Sequence, residues 1–211
     1  MDLTFNADEA RQADRLNQAI RVAGKYIGTI TRAEKLLSQN NTQGIGISFK
    51  TDDGATANYL DLYTKNAKGE TLPSNSTVQA ILCCTRTREV KEGKIDVEKW
   101  DKEAKTTYKA NVDGYPSLIG KRIGFLLQQE LSDNPKDDTK PNDRVIIYGV
   151  FEADSELTAS EILDKATVPE KLGKMVVSLM ARPINDRRSN KQSLGAGYTP
   201  GNDDIDSDLP F

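Results

Sequence analysis

The sequence predicts a mainly β domain with flanking helices, built on a small five-stranded Greek-key barrel and followed by a flexible C-terminal tail. Three observations carry this expectation. Apolar and polar residues alternate on both sides of a tight turn at Asp52-Asp53-Gly54, helix-period patterns flank and interrupt the strand-like segments, and apolar periodicity stops beyond Pro183. At 211 residues the chain holds one domain with appendages, or at most two small ones. The expected division is a folded domain at residues 1–181 and a tether with an acidic tip at residues 182–211.

Residues 6–23 read as an amphipathic helix: Asn6 caps it with Glu9 three residues on, Ala13, Leu16 and Ile20 recur at helical spacing, and Gly24 ends it. Residues 25–32 read as the first strand, ahead of a loop around Gln39 to Gly44. Residues 44–51 set Ile45, Ile47 and Phe49 against Gly46, Ser48 and Lys50, which suits a strand with one buried face. After the turn, residues 57–65 place Leu60 and Leu62 on one face and Tyr59, Asp61 and Tyr63 on the other. With the leucines in the core, two tyrosines project outward.

Residues 71–85 contain Pro73, a cap at Ser74 or Ser76, and Val78, Ile81 and Leu82, so a short helix is expected. Residues 86–115 are charged and weakly periodic and include the single tryptophan, Trp100; they read as a long excursion without assigned structure. Residues 117–131 and 144–151 read as the last two strands, joined by a polar loop. Thr158-Ala159-Ser160-Glu161 has capping-box spacing and opens a final helical region that breaks near Pro169 and ends about Met180. Five strands with a helix between the third and fourth follow the order of an OB-fold, a barrel that binds oligonucleotides across its second and third strands.

The net charge of −3 at first argues against a nucleic-acid partner. Its distribution removes the objection: without the four tail aspartates the balance over residues 1–202 is +1, 29 cations against 28 anions. Residues 21–131 are more basic still, with 17 Lys and Arg against 13 Asp and Glu. The chain has no histidine, which excludes Ser-His-Asp triads, Cys-His pairs and His-containing zinc sites built from this chain alone. Cys83 and Cys84 are adjacent and read as buried small hydrophobes. No apolar run is long enough to cross a bilayer and no secretory signal is visible, so a cytoplasmic setting is expected.

The last nine residues carry the strongest functional signal. Asp203, Asp204, Asp206 and Asp208 lead to an apolar tip, Leu209-Pro210-Phe211, with no Lys or Arg among them. Such a segment does not fold alone, but it docks as a linear peptide, with Leu209 and Phe211 in an apolar pocket and the aspartates against a basic rim. This ending resembles the acidic C-terminal tip of bacterial and phage single-stranded DNA-binding proteins, where an Asp-rich run closes on an aliphatic residue, Pro and Phe. Here Ser207 interrupts the run and Leu209 stands where Ile is usual. With the strand layout, the chain resembles phage-encoded single-stranded DNA-binding proteins. The resemblance implies non-enzymatic, cofactor-free and sequence-tolerant binding of single-stranded DNA in replication or recombination, inside a bacterial host. It also implies that the tip recruits replication or recombination proteins.

Binding of that kind calls for exposed aromatics beside cations, because every base offers a π-face. Tyr59 and Tyr63 with Lys50 and Lys65 are the leading candidates, weighed evenly against a core-capping role. Trp100, Tyr108 and Tyr115 lie among Lys94, Lys99, Lys102, Lys105 and Lys109 and suit a flexible flap over bound strand, or equally a solvated charged hairpin. Arg86, Arg88, Lys121 and Arg122 are candidate phosphate contacts. Two other readings stand beside this one: a protein-binding adaptor, and a Mg²⁺-dependent nuclease or recombination enzyme using Asp52-Asp53 or Asp137-Asp138, both of which fall in expected turns.

Overall fold

The computed structural model describes residues 19–189, apart from 102, 103, 136, 138 and 139. Its centre is a long strand, β1 (Gly24–Leu37), followed by β2 (Gln43–Thr51) and β3 (Thr56–Lys65). A helix, α1 (Ser74–Cys84), leads to the strands β4 (Gly93–Asp101) and β5 (Thr106–Gly114), and a short 3-10 turn at Pro116–Leu118 leads to β6 (Arg122–Ser132) and β7 (Asn142–Phe151). Helices α2 (Ala159–Leu163) and α3 (Lys171–Ala181) and a last strand β8 (Ile184–Asp186) complete the described chain.

The strands form one open, mainly antiparallel sheet of eight, where five were expected. β1 is shared. Its residues from Gly28 to Leu37 pair with β2, and its residues from Gly24 to Thr29 pair with β6. Two strands can flank β1 at Gly28 only because that residue lacks a side chain: a Cβ there would stand 2.1 Å from the Lys50 carbonyl oxygen. β3 follows β2, β7 follows β6, and the β4–β5 hairpin joins β1 through Glu34 and Gly114. β3 and β7 approach each other beneath α1 without sharing a ladder.

The main core lies inside this curve. Ile30, Ile47, Phe49, Leu60, Ile81, Ile123 and Phe125 are fully enclosed there, and Phe49 meets Phe125 edge to face at 5.0 Å between ring centroids. A second, smaller core forms where Leu172 and Leu179 of α3 pack on Leu126 and Phe151, against the other face of β6 and β7. Cys84 is enclosed in the main core, and burial pushes its thiol up to about 12, so it remains a neutral, unreactive packing group at physiological pH.

Several expectations change in detail. Residues 6–18 of the expected first helix lie outside the described residues, and residues 19–23 are not helical: Ala19 bridges Thr56, and the Ile20 amide donates to the Thr56 carbonyl at 2.8 Å. β1 runs five residues past the expected end at Arg32. Neither Ser74 nor Ser76 caps α1, whose N-cap is Pro73; the Ser76 hydroxyl donates to the Pro73 carbonyl instead. Within the excursion at 86–115, residues 93–101 and 106–114 form a regular hairpin in which Ile95 and Val97 supply a buried face. The segment 117–131 begins as a 3-10 turn and becomes a strand only at Arg122. β8 lies within the stretch read as tether, pairing in parallel with β6, and the Ser189 amide is still held by Asp133.

The capping box at Thr158 forms as expected, and its acid does more than cap α2. Glu161 is buried; one carboxylate oxygen accepts the Thr158 amide and hydroxyl, and the other accepts the Glu170 and Lys171 amides at the start of α3. One carboxylate therefore ties two helix N-termini together. Burial alone would raise its pKa, but the hydrogen bonds from Lys171, Thr158 and Glu170 outweigh it and bring the value down to about 2. Because the folded value lies below the ordinary 4.5, this contribution is complete above pH 4.5 and is lost as the pH falls toward 2. Glu161→Gln is expected to cost on the order of 2 kcal/mol at neutral pH and to flatten the acid limb of the stability curve. Urea unfolding of both proteins over a pH series checks this; curves that stay a constant distance apart down to low pH would contradict it.

Candidate nucleic-acid interface

The outer face of β1, β2 and β3 forms a shallow trough whose floor is made of small residues. Register sets two full cross-strand rows, Asp61, Gly46 and Glu34, then Tyr63, Gly44 and Leu36; Ser48 faces Arg32 on β1, and Tyr59 stands beside that pair at a register slip. β2 was expected to bury one face, yet Gly44, Gly46 and Ser48 are buried as well as Ile45, Ile47 and Phe49. The reason is that longer side chains from both neighbours lean over the floor. A Cβ on Gly46 would stand 3.1 Å from both the Asp61 carboxylate and the Leu36 side chain.

Tyr59 is the most exposed of the trough aromatics, 64% accessible, and stands on a bulge. The β2–β3 register slips between Ile47 and Phe49, and Tyr59 takes a left-handed φ of 59°, a conformation that costs a bulky residue energy. The slip points the ring across Ser48 toward β1, where the Arg32 guanidinium lies 5.4 Å from its centroid. Tyr63 is half-buried in the same line. Leu60 and Leu62 are buried, as the alternation predicts.

Arg32 and Glu34 are the residues that sequence reading missed. Glu34 is buried, pairs with Arg32, and accepts from Lys99 Nζ of β4 at 3.1 Å. Burial pushes its carboxyl up, but the hydrogen bonds and charges of Arg32 and Lys99 outweigh that and hold it below the ordinary range. The available signal was the i, i+2 spacing of Arg32 and Glu34, which places opposite charges on one strand face. Lys99 brings the hairpin over the trough. It shares a cross-strand pair, and so a hairpin face, with Tyr108, which is 49% accessible. Trp100 pairs with Thr107 and lies on the opposite hairpin face, so Trp100 and Tyr108, expected with Tyr115 to act as one flap, are divided between its sides.

The candidate cations separate into groups. Lys50 and Arg122 flank Thr29 in one row across β2, β1 and β6, two strands apart and so roughly 10 Å between backbones. Lys121 is next in the chain, and neither Lys50 nor Lys121 forms an ion pair among the described residues, whereas Arg122 pairs with Asp52 at 2.7 Å. Lys65 is at the far end of β3, opposite Gln43. Arg86 is at the end of α1, bound to Glu152 at 2.7 Å, and the structure does not bring it to the trough; Arg88 is exposed two residues further on. Asp52 and Asp53 occupy the β2–β3 turn, Asp52 with Arg122 and Asp53 accepting the Thr51 hydroxyl. Asp203, Asp204, Asp206, Asp208, Leu209, Pro210 and Phe211 lie outside the described residues, as does Asp138. No helix among the described residues is long and apolar enough to cross a membrane.

No protein-family model matches this chain, and no curated protein does. Its function therefore has to be argued from the trough, the hairpin and the sequence of the tail.

Lys99→Ala is expected to loosen the hairpin from the sheet by about 0.5–1 kcal/mol, the usual worth of a partly exposed ion pair. Hydrogen exchange should then quicken at the β4 and β5 amides while β1 and β2 keep their protection. Equal quickening in all four strands would mean that the contact supports the whole fold instead.

Proposed function

We propose that this protein binds single-stranded DNA without sequence preference along the β2 trough, with the C-terminal tip recruiting replication or recombination proteins. The observation that carries the reading is Tyr59, held outward on a strained bulge beside Arg32 over a floor of small residues. A bulge that costs energy to aim an aromatic ring at solvent is an expense that core packing does not require. The ring with its cation supplies a stacking surface that accepts any base. Lys50, Lys121 and Arg122 at one end of the trough and Lys65 at the other supply phosphate contacts.

Topology supports the same reading. With the β4–β5 hairpin set aside, the strand order is β3-β2-β1-β6-β7, with α1 beneath the gap between β3 and β7. We read this as an OB-fold barrel left open at that gap and carrying the hairpin as an insertion beside its binding face. The acidic tip competes for the same cations in this account, and its Leu-Pro-Phe end meets a partner's pocket.

Titration of a labelled oligonucleotide, single-stranded and duplex, at two salt concentrations tests the reading. Affinity for the single strand should be higher and should fall as salt rises, because phosphate contacts release counterions. Tyr59→Ala with Tyr63→Ala should lower it by about 1–3 kcal/mol per lost stack while the fold remains intact. An intact protein with no affinity for single strands at low salt would reject the reading and favour the protein-binding adaptor.

Deleting residues 203–211 should leave single-strand affinity equal or higher, most clearly at low salt where charge is least screened. The same deletion should abolish capture of replication or recombination proteins, and Phe211→Ala should do much of the same. Partner capture unchanged by the deletion would remove the tip from the account.

A further inference from the structure

Beyond the lysine end of the trough, the chain encloses a cavity of about 240 Å³ between α1, the start of β2 and the end of β3. Its walls are apolar: Val78 and Leu82 of α1 and Val90 are half-buried with their side chains against it. Its rim is polar. Asn75 and Gln79 stand one helical turn apart on α1, and Tyr115, Lys35 and Lys65 complete the edge. Lys35 is held by Glu92 at 2.8 Å, but the Asn75 and Gln79 amides, the Tyr115 hydroxyl and the Lys65 ammonium make no hydrogen bond among the described residues. Burial keeps the Tyr115 phenol protonated by raising its pKa, so it both donates and accepts.

We propose that this cavity receives one nucleobase turned out of the bound single strand, with Lys65 on the adjoining phosphate. The inference rests on the function proposed above and adds a specific contact to it. The cavity is smaller than the roughly 300 Å³ at which pockets for drug-sized ligands begin, a size suited to one flat heterocycle. An apolar slot edged by amides and a phenol matches how extruded bases are held, by contact with the faces and hydrogen bonds to the edge. Asn and Gln each offer a donor and an acceptor, so the edge accepts any of the bases and the site remains tolerant of sequence. Position supports the choice of ligand: Tyr63 is paired with Gly44, a cavity residue, and is followed by Thr64 and Lys65, which also line the cavity. The cavity opens on the α1 side of the sheet, so a strand lying along β3 from Tyr59 to Tyr63 turns over the end of β3, past Lys65, to reach it.

Photocrosslinking tests it, using the full-length protein and an oligothymidylate that carries 4-thiothymidine. Adducts are expected on Tyr115 or on the α1 peptide spanning residues 75–82, in addition to the trough. Gln79→Trp, an exposed helix position, should fill the cavity, remove those adducts, keep the adducts at Tyr59 and weaken binding about fivefold, the lower range for one lost base contact. Circular dichroism establishes that the variant is folded. Adducts at Tyr59 or Trp100 with none in the cavity would overturn the inference and leave the proposed function standing. Failure of the wild-type protein to bind the oligonucleotide would overturn both.

Discussion

The outer face of this protein depends on β1 satisfying two partners along one strand. Backbone groups in a sheet must be paired, and a strand that changes neighbours midway has to bend without leaving those groups stranded. Here the change occurs at Gly28 and Thr29, which pair with β2 on one side and β6 on the other. The bend wraps the sheet around the phenylalanine core, and it leaves Arg32, Glu34 and Leu36 on the convex side as one wall of the trough. A register slip in β1 between Ile30 and Arg32 falls next to that junction. Curvature and trough are thus two results of the same pairing scheme.

Charge placement in the trough follows a consistent logic. Of the two carboxylates in the trough, Glu34 is shared between Arg32 and Lys99. What the trough presents is an aromatic ring and a guanidinium beside the exposed Asp61 carboxylate, with Glu34 acting as a strut between sheet and hairpin. The same economy appears at Glu130, which is buried on β6 and bound by Arg144 and Asn185. Buried acids in this protein hold segments together, and the cations at the ends of the trough are left to face solvent.

Much of this was legible in the sequence, and what was not has physical reasons. The turn at Asp52-Asp53-Gly54, the leucines of β3 and the Thr158 capping box are local signals and appear where expected. The hairpin at 93–114 escaped because only Ile95 and Val97 mark its buried face, while lysines and acids fill the rest. The burial of Gly44, Gly46 and Ser48 was hidden because it comes from neighbouring strands and not from the residues themselves. Trp100 and Tyr108 looked like one cluster in the chain, but the two-residue period of a strand places them on opposite faces. Arg86 looked like a free cation until the fold brought Glu152 beside it.

The β4 edge shows how an exposed hairpin avoids becoming sticky. Among the described residues β4 pairs only with β5, so its other side offers a row of amides and carbonyls to any passing strand. Lys94, Asp96 and Glu98 project from it into solvent in alternation with the buried Ile95 and Val97. A second molecule approaching to extend the sheet would have to desolvate three charges of mixed sign at once. The hairpin can therefore stand beside the trough at high protein concentration and still not seed the pairing of one sheet's edge with the next.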